Sequence, residues 1–296
     1  MKKVVAIVGP TASGKTAFSI LLAKAIDAEI ISGDSIQVYC GFDIGSGKVS
    51  LQDRSLVKHH LIDIKEARDT YSVKEFQERA RNIIDYTDKP IILCGGTGLY
   101  LKAALYDYDF PKEEIKYFDY STFSNDELYQ RLKKLDPNQC AKIHPHNRQR
   151  LERSLTIYEQ SGIPQSTLIA RQEKKEIYDV YWIGISWQRE DLYKRINMRV
   201  EKMLVDGLED EVNSLLQHGS KFSDQAMKGI GYREWQEYFN GHQSLEQTKY
   251  LIQRNSRHFA KRQLTWFNNQ VEVDWILPND LMSKVNDIKA WLKNKK

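Results

Sequence analysis

The chain has 296 residues, 41% of them hydrophobic, which is enough for one large core or for a core that carries an inserted domain. Its apolar runs stay well below the ~20 residues that span a bilayer, and the N-terminus leads into a strand without a signal-peptide pattern, so we expect no membrane association. The net charge of +4 is too small to identify a nucleic-acid partner by itself, so the distribution of charge matters more than its sum.

A strand, a glycine-containing loop and a helix follow one another at the N-terminus. The apolar run Val4–Val8 predicts a buried strand, and Ala17–Ile26 has the pattern of a helix. The P-loop pattern G-x-x-x-x-G-K-[ST] lies between them. This P-loop comprises Gly9, Pro10, Thr11, Ala12, Ser13, Gly14, Lys15 and Thr16. In this context the loop N–H groups cradle phosphate oxygens, Lys15 neutralises phosphate charge and the Thr16 hydroxyl reaches a metal ion. We therefore predict a site for a di- or triphosphate with Mg²⁺ as its cofactor.

Further apolar runs predict the remaining strands. They are Glu29–Ser32, Pro90–Leu93, Val180–Ile185 and the late run Val271–Leu277. Helical patterns separate them, so we predict an α/β fold, a P-loop core with a doubly wound parallel sheet. The stretch between Pro90–Leu93 and Val180–Ile185 is too long for one crossover. We therefore expect a catalytic core over 1–111 and 177–296, and a helical insertion over 112–176.

Loops at the ends of two predicted strands carry candidate site residues. Asp34 follows the second strand, near the sheet edge where ligands bind, and suits a metal ligand or a general base. The third strand ends in Gly95–Gly98, where backbone can pass close to a ligand and Thr97 offers a hydroxyl. His59 and His60 point in opposite directions on a strand, so we interpret them as structural residues rather than as a metal site.

Basic side chains align on three predicted helices. They are Arg150 and Arg153 within Asn147–Gln160, Arg195, Arg199 and Lys202 within Arg189–Leu204, and Arg254, Arg257, Lys261 and Arg262 in the helix that begins at the capping-box pattern of Ser244 and Gln247. One such stripe is ordinarily a solvated helix face. Three stripes in a P-loop protein favour a polyanionic partner.

Several blocks of the chain carry a recognisable pattern together. They are Gly9–Thr16, Ile31–Tyr39 with Asp43–Gly45, His59–Asp63, Gly95–Tyr100, Ile143–Pro145 with Arg150 and Arg153, Gln225–Arg233 and Lys261–Phe267. In this order they resemble the tRNA dimethylallyltransferase (tRNA isopentenyltransferase) family of bacterial type. The P-loop alone is unspecific, whereas the block from Asp34 to Gln37 together with Lys261–Phe267 is highly specific. The chain departs from the family pattern over Gly45–Val49, where the family usually reads Gly-Thr-Ala-Lys-Pro.

The resemblance implies transfer of a dimethylallyl group from dimethylallyl diphosphate to the exocyclic N6 of the adenosine immediately 3′ of the anticodon, with release of diphosphate. It implies Asp34 as the base, Gln37 at the adenine edge and Arg199 as a clamp on the diphosphate. Lys15 and Thr16 complete the catalytic set, Thr16 through Mg²⁺. Contacts to the anticodon stem-loop of tRNA are implied for Asp34, Ser35, Ile36, Gln37, Thr97, Gln149, Arg150, Leu151, Glu152, Arg153, Gly231, Tyr232, Arg233, Arg254, Arg257, Lys261, Arg262, Gln263 and Trp266.

Three other functions fit parts of the sequence. A transferase that prenylates free adenine nucleotides has no use for a basic insertion or for Lys261–Phe267. A P-loop kinase or NTPase explains Gly9–Thr16 but not the block at Asp34. A nucleic-acid-binding module without catalysis needs no Mg²⁺-binding Thr16.

The cysteines add an expectation about location. Cys40, Cys94 and Cys140 lie far apart and form neither a zinc pattern nor a disulfide framework. A reducing compartment fits this usage, so we expect a cytoplasmic protein, acting as a monomer.

Overall fold

The computed structural model describes residues 1–108, 110, 118–171 and 175–294. The chain divides into two compact units, Met1–Leu105 with Glu176–Lys296, and Tyr106–Lys175. The sequence placed these divisions at 111/112 and 176/177. Parts of the predicted insertion, 112–117 and 172–174, lie outside the described residues.

A parallel sheet forms the centre of the first unit. Its strands are β1 (Lys3–Val8), β2 (Glu29–Ser32), β3 (His59–His60), β4 (Ile91–Cys94), β5 (Asp179–Ile185) and β6 (Asp274–Ile276). The order among the described residues is β3-β2-β4-β1-β5-β6, and each neighbouring pair is parallel. The chain runs from β1 to β2 in one direction along the sheet, and from β4 to β5 in the opposite direction. The crevice at the carboxyl ends of the neighbours β1 and β4 is therefore the expected ligand site. The predicted doubly wound α/β fold is confirmed.

Helices fill the remainder of both units. In chain order they are α1 (Lys15–Ile26), α2 (Leu51–Leu56), α3 (Val73–Tyr86), α4 (Gly98–Leu105), α5 (Asn125–Leu135), α6 (Pro137–Cys140), α7 (Arg148–Ser161), α8 (Gln165–Arg171), α9 (Arg189–Val205), α10 (Leu208–Gln217), α11 (Gln236–Phe239), α12 (Leu245–Gln270) and α13 (Leu281–Lys293). Short 3₁₀ turns cover Ala226–Lys228, Arg233–Trp235 and Pro278–Asp280.

The sheet is buried on both faces, which explains why β1 is apolar throughout. On one face Val5 packs in a cluster with Phe18 of α1 and Ile288 of α13. On the other face Val4 and Ala6 are equally inaccessible to solvent. A parallel sheet covered on both sides reads as a continuous hydrophobic run, as the N-terminal sequence does.

The long helix α12 begins at the predicted capping box. The Ser244 hydroxyl accepts the Gln247 N–H, and the Gln247 side chain accepts the Ser244 N–H, so two otherwise unpaired donors are satisfied. One side of α12 buries Ile252 and Phe267. Because the helix is long, its polar residues reach from the outer surface to the sheet edge that carries the P-loop.

The second unit is helical and has its own core. Leu128 and Leu132 of α5 pack there against Leu151 and Leu155 of α7. A buried carboxylate, Asp136, accepts bonds from the N–H of Gln139 and from both the N–H and the hydroxyl of Ser166, which ties α6 to α8. The helix α7 is capped by the Asn147 side chain and ends at Gly162, whose φ is 66°.

Every helix in the described part of the chain is too short or too polar to cross a bilayer.

Candidate active site

The P-loop connects β1 to α1 through three residues with left-handed backbone. Gly9, Ala12 and Gly14 have φ values of 138°, 62° and 97°. Gly14 precedes the first helical residue and has no side chain to cap the N–H groups of the first turn. These N–H groups and the helix dipole are therefore available to an anion.

The side chain of Gln263 fixes the P-loop to the loop after β4. Its Oε1 accepts the Thr11 N–H at 2.8 Å, and its Nε2 donates to the Gly96 carbonyl at 3.0 Å. Gln263 is 6% exposed. The RNA contact implied for Gln263 is therefore corrected: its amide is occupied inside the protein, where it positions the P-loop.

Two residues after β5 support the opposite side of the P-loop. Trp187 Nε1 donates to the Ser13 carbonyl at 2.9 Å, and Arg195 Nε donates to the Ala12 carbonyl at 3.0 Å. The Arg195 guanidinium also lies 4.2 Å from the centre of the Trp187 ring. The loop conformation is thus held from α9 as well as from α12.

Lys15 and Arg199 place positive charge at the P-loop. Lys15 Nζ donates to the Pro10 carbonyl at 2.7 Å, and burial lowers the pKa of Lys15 to about 8. Arg199 donates to the Thr11 hydroxyl at 3.3 Å and to the Ser46 carbonyl at 3.2 Å. Burial lowers the pKa of Arg199, and the nearby Asp34 carboxylate opposes that shift. The three residues form one electrostatic unit.

Gly47 makes room for the Arg199 guanidinium. A Cβ on Gly47 would lie 1.8 Å from an Arg199 nitrogen, and its φ of 60° suits glycine. This position belongs to the segment Gly45–Val49, where the sequence departs from the family pattern. The departure from the family pattern therefore lies where this loop contacts Arg199, the residue predicted to clamp the diphosphate.

A carboxylate that the sequence did not reveal holds the loop in front of Arg199. Glu211 of α10 accepts the N–H groups of Asp43, Ile44 and Gly45 at 3.0, 2.6 and 3.0 Å. It also accepts the Tyr232 hydroxyl at 2.7 Å, and this hydroxyl accepts the next N–H of the loop at 3.1 Å. Glu211 lies far along the chain from the loop and belongs to no spacing pattern, so no sequence signal could have found it.

Two cavities meet at Asp34. The P-loop cavity, about 90 Å³, is lined by Lys15, Thr16 and Gln37 among others. The larger cavity, about 390 Å³, has an apolar wall from α9 and α12 that includes Ile196 and Ile252. Asp34, Thr11, Ser46, Arg199 and Phe259 line both. The Asp34 carboxylate and the Arg199 guanidinium therefore lie where the larger cavity meets the P-loop cavity.

The backbone fixes the Asp34 side chain. Its Oδ1 accepts the N–H of Ile36 at 2.8 Å and that of Gln37 at 3.4 Å, a local turn in which an aspartate caps its own loop. Gln37 also accepts the Ser32 hydroxyl at 3.2 Å and donates to the Gly47 carbonyl at 3.4 Å. These bonds hold Asp34 at the junction of the two cavities through Oδ1 and do not involve Oδ2.

The comparisons with known proteins agree on one family. The profile of the IPP transferase family matches residues 37–270. Proteins named tRNA dimethylallyltransferase from Anoxybacillus flavithermus and Geobacillus thermodenitrificans are each 42% identical to this chain and align with 99% of it and 97% of their own length. The chain belongs to the IPP transferase family.

Solved structures share the IPP transferase fold over its full length. A tRNA delta(2)-isopentenylpyrophosphate transferase from Staphylococcus epidermidis is 37% identical, covers 100% of both chains and superposes with a TM-score of 0.74. A eukaryotic dimethylallyltransferase acting on tRNA is 25% identical and has a TM-score of 0.82, over 98% of this chain and 78% of its own. The similarity includes both the P-loop core and the second unit.

The first unit of this IPP transferase places the predicted RNA contacts in three environments. Residues that line the larger cavity are Ser35, Ile36, Thr97, Gly231, Arg233 and Arg262. Arg254 and Lys261 are exposed on α12, whereas Arg257 donates to the Asn197 side chain at 2.6 Å. Trp266 covers Gly98, where an added Cβ would lie 2.1 Å from the ring.

Tyr232 and Leu151 correct the expected RNA surface. Tyr232 is fully buried, and burial raises the pKa of its hydroxyl well above the usual value, so it acts as a neutral donor to Glu211. Leu151 is fully buried in the core of the second unit. Neither side chain is accessible to an RNA.

The neighbours of Leu151 on α7 remain at the surface of the second unit. Gln149, Arg150 and Arg153 are exposed, and Glu152 pairs with Arg148 at 2.7 Å. A helix that alternates a buried leucine with exposed arginines presents the basic face that its spacing predicted.

The predicted basic stripe on α9 separates into three roles. Arg199 enters the cavities, Arg195 supports Ala12, and Lys202 pairs with Asp206 at 2.9 Å. Helical spacing placed these residues on one face correctly. It did not indicate that two of them are bound by the P-loop and the loop beside it.

Proposed function

We propose that this IPP transferase moves a dimethylallyl group from dimethylallyl diphosphate to the exocyclic N6 of the adenosine immediately 3′ of the anticodon in tRNA, and releases diphosphate. The observation that carries this proposal is the junction at Asp34, where a phosphate-binding cavity opens into a larger cavity with an apolar wall. The names of the relatives support the choice of tRNA as acceptor.

The P-loop cavity receives the diphosphate. N–H groups at the start of α1, Lys15 and Arg199 supply positive charge to this cavity. As the allylic C–O bond breaks, its electron pair stays on the diphosphate oxygen, so negative charge grows where these groups lie. Because they are already fixed by protein contacts, little reorganisation accompanies that change.

Asp34 is proposed as the base for the acceptor. The N6 lone pair is delocalised into the adenine ring, so the amine is a poor nucleophile until its proton is taken up. As N6 forms the new bond to the allylic carbon, its proton passes to Asp34 Oδ2. The two N–H bonds to Oδ1 orient the carboxylate.

The oxygen donors at the P-loop suit Mg²⁺. Thr16 lies in the first turn of α1, and Thr16, Ser32 and Asp34 line the same cavity. Among the described residues there is no cluster of three His, Cys, Asp or Glu that could hold a metal alone. This donor set fits a cation bound by Thr16 together with oxygens of the diphosphate and water, and such a cation would neutralise charge on the leaving group.

Basic residues on α7, on α12 and in the 3₁₀ turn that begins at Arg233 are proposed to hold the RNA. Arg233 and Arg262 line the larger cavity, and Lys261 is exposed on α12. In the second unit, Arg150 and Arg153 are exposed on α7. Such residues contact phosphates and position the strand, while the target base leaves its stack to enter a cavity.

We also propose a monomer in the cytoplasm. Cys40, Cys94 and Cys140 are free thiols, as is usual in a reducing compartment. Sedimentation of the active enzyme at assay concentration measures its subunit number.

The test of the function is a transfer assay with labelled dimethylallyl diphosphate. An anticodon stem-loop RNA and AMP are offered in separate reactions, and ATP with small-molecule acceptors serves as the arm for a kinase. We expect label in the RNA alone. Label in AMP would identify an adenine-nucleotide prenyltransferase, and phosphate transfer without prenyl transfer would contradict the proposal.

A further inference from the structure

One ring nitrogen near the P-loop has no partner. His59 lies on the edge strand β3, pairs in register with Ile30 and forms part of the wall of the P-loop cavity with Thr16. Its Nε2 is buried and accepts or donates no hydrogen bond within the described residues. Leaving a buried polar atom unpaired is costly, so this atom requires an explanation.

The opposite side of the ring determines which hydrogen bond Nε2 can make. His59 Nδ1 lies 2.8 Å from the Val57 carbonyl oxygen. Because a carbonyl only accepts, Nδ1 carries the proton and Nε2 presents a lone pair. Burial lowers the pKa of His59, which keeps the ring neutral. The missing partner is therefore a donor.

No donor among the described residues bonds to His59 Nε2, and three donors of the cavity wall have partners elsewhere. Lys15 donates to Pro10, the Ser32 hydroxyl donates to Gln37, and the Gln37 amide donates to Gly47. The ionised diphosphate proposed for this cavity offers acceptors only. Water on a bound cation directs its lone pair to the metal and its hydrogens outward, which makes it a strong donor.

Resting on the diphosphate site proposed above, we propose that His59 Nε2 accepts a hydrogen bond from a water in the hydration shell of the cation held at Thr16. His59 is thereby a positioning residue: it orients the hydrated cation, and the cation orients the diphosphate. The sequence interpretation of His59 as merely structural is then incomplete. His60, its neighbour, instead pairs through Nε2 with Glu29 at 2.6 Å.

Two substitutions separate the acceptor from the shape of the ring. His59→Asn retains a donor near the Val57 carbonyl but removes the acceptor at the Nε2 position. His59→Gln extends one bond further and returns an acceptor there. His60→Phe, on the same strand, is the matched control, and thermal melting confirms that each variant is folded.

The readout is binding of Mn²⁺, measured by electron paramagnetic resonance in the presence of inorganic diphosphate and without RNA. Loss of a residue that orients a ligand of the metal typically costs 10–100-fold in affinity, so we expect about a tenfold weaker Mn²⁺ affinity in His59→Asn. His59→Gln should stay within about threefold of the parent, and His60→Phe should be unchanged. Diphosphate binding in EDTA should be the same in all four proteins.

The outcomes distinguish this inference from the proposed function. If the parent protein binds neither diphosphate nor Mn²⁺ with diphosphate, the proposed function fails at its first step. If the parent binds both and His59→Asn binds Mn²⁺ equally well, only the role of His59 is overturned. Weaker diphosphate binding by His59→Asn in EDTA would also overturn it, since His59 would then act on the anion or the cavity. An unchanged Mn²⁺ affinity with a raised KM for RNA would assign Nε2 to the acceptor base instead.

Discussion

The P-loop cavity and the basic surfaces of α7 and α12 use charged side chains in opposite ways. In the cavity, Lys15 and Arg199 are bound to backbone and hydroxyl groups and their pKa values are lowered by burial. On the helices, Arg150 and Lys261 are exposed to solvent. A buried, fixed charge acts strongly at one point, whereas an exposed charge is screened and acts weakly.

Substitutions in the cavity should therefore have larger effects than substitutions on the helix surfaces. Changes in the cavity alter one chemical step and are felt in turnover or in diphosphate affinity. Changes on the helix surfaces alter a diffuse attraction, so their effects should be small, additive and dependent on salt.

Asp34→Asn should lower kcat by about 10²–10⁴ because the proton acceptor is removed. The asparagine oxygen can still accept the N–H groups of Ile36 and Gln37, so the loop should keep its shape. Single-turnover transfer to stem-loop RNA measures the effect. RNA affinity and melting temperature serve as controls, and near-normal turnover would exclude Asp34 as the base.

The pKa of Lys15 predicts a pH dependence of substrate binding. Burial lowers this pKa to about 8 in the free enzyme, and a bound diphosphate should raise it because anionic oxygens favour the ammonium form. The affinity for dimethylallyl diphosphate should therefore be nearly constant below about pH 8 and fall above it, because Lys15 of the free enzyme loses its charge there. The expected decrease is about tenfold between pH 7.5 and 9.5. Calorimetric titration with dimethylallyl diphosphate in the absence of RNA checks this.

Lys15→Arg is the control for that titration. An arginine stays charged throughout the range, so the dependence should flatten even if the affinity is lower overall. A parent enzyme with constant affinity up to pH 9.5 would mean that the Lys15 charge does not contribute to binding.

Glu211→Gln should raise the KM for dimethylallyl diphosphate about tenfold with a smaller change in kcat. The amide has one acceptor oxygen in place of two, so it cannot accept all of the loop N–H groups that Glu211 holds. A hydrogen bond to a charged acceptor contributes about 1.5–3 kcal/mol, so the loop should be less well fixed. Arg199, which donates to this loop, should then be less well placed.

A neighbouring residue controls for a general loss of stability. Glu209 lies on the same helix and accepts the Tyr238 hydroxyl at 2.6 Å, away from the loop. Glu209→Gln should leave KM unchanged. Equal increases in KM for both variants would show that α10 supports the site only through overall stability.

The fold was predictable because its signals are local. A continuous apolar run, a P-loop pattern and a capping box each depend on residues within a few positions, and β1, the start of α1 and the Ser244 cap follow them closely. A strand at His59 and His60 was expected, but no local signal indicates where the two-residue strand β3 pairs in the sheet. Its pairing with β2 was needed to place one histidine of the pair in the cavity wall.

The site was less predictable because tertiary packing assigns the roles. Helical spacing identified the face of α9 that carries Arg199, but it could not distinguish Arg199 from Arg195, whose partners come from the P-loop. In the same way, Gln263 lies on a helix with a basic face yet points into the protein. Glu211 acts through a loop that is remote in sequence, and only the folded chain brings them together.

The basic surfaces give the smallest predicted effect and the closest test of the contrast. Arg150→Ala combined with Lys261→Ala should weaken stem-loop RNA binding several-fold at moderate salt. Each lost phosphate contact to a flexible strand should reduce the slope of log K against log salt by about 0.7. Affinity for dimethylallyl diphosphate should be unchanged, since neither side chain lines the P-loop cavity. Lys24→Ala, an exposed lysine on α1, removes a charge outside these surfaces and is the control. Parallel salt plots with equal affinity for the double variant and the parent would show that both side chains belong to ordinary solvated helix faces.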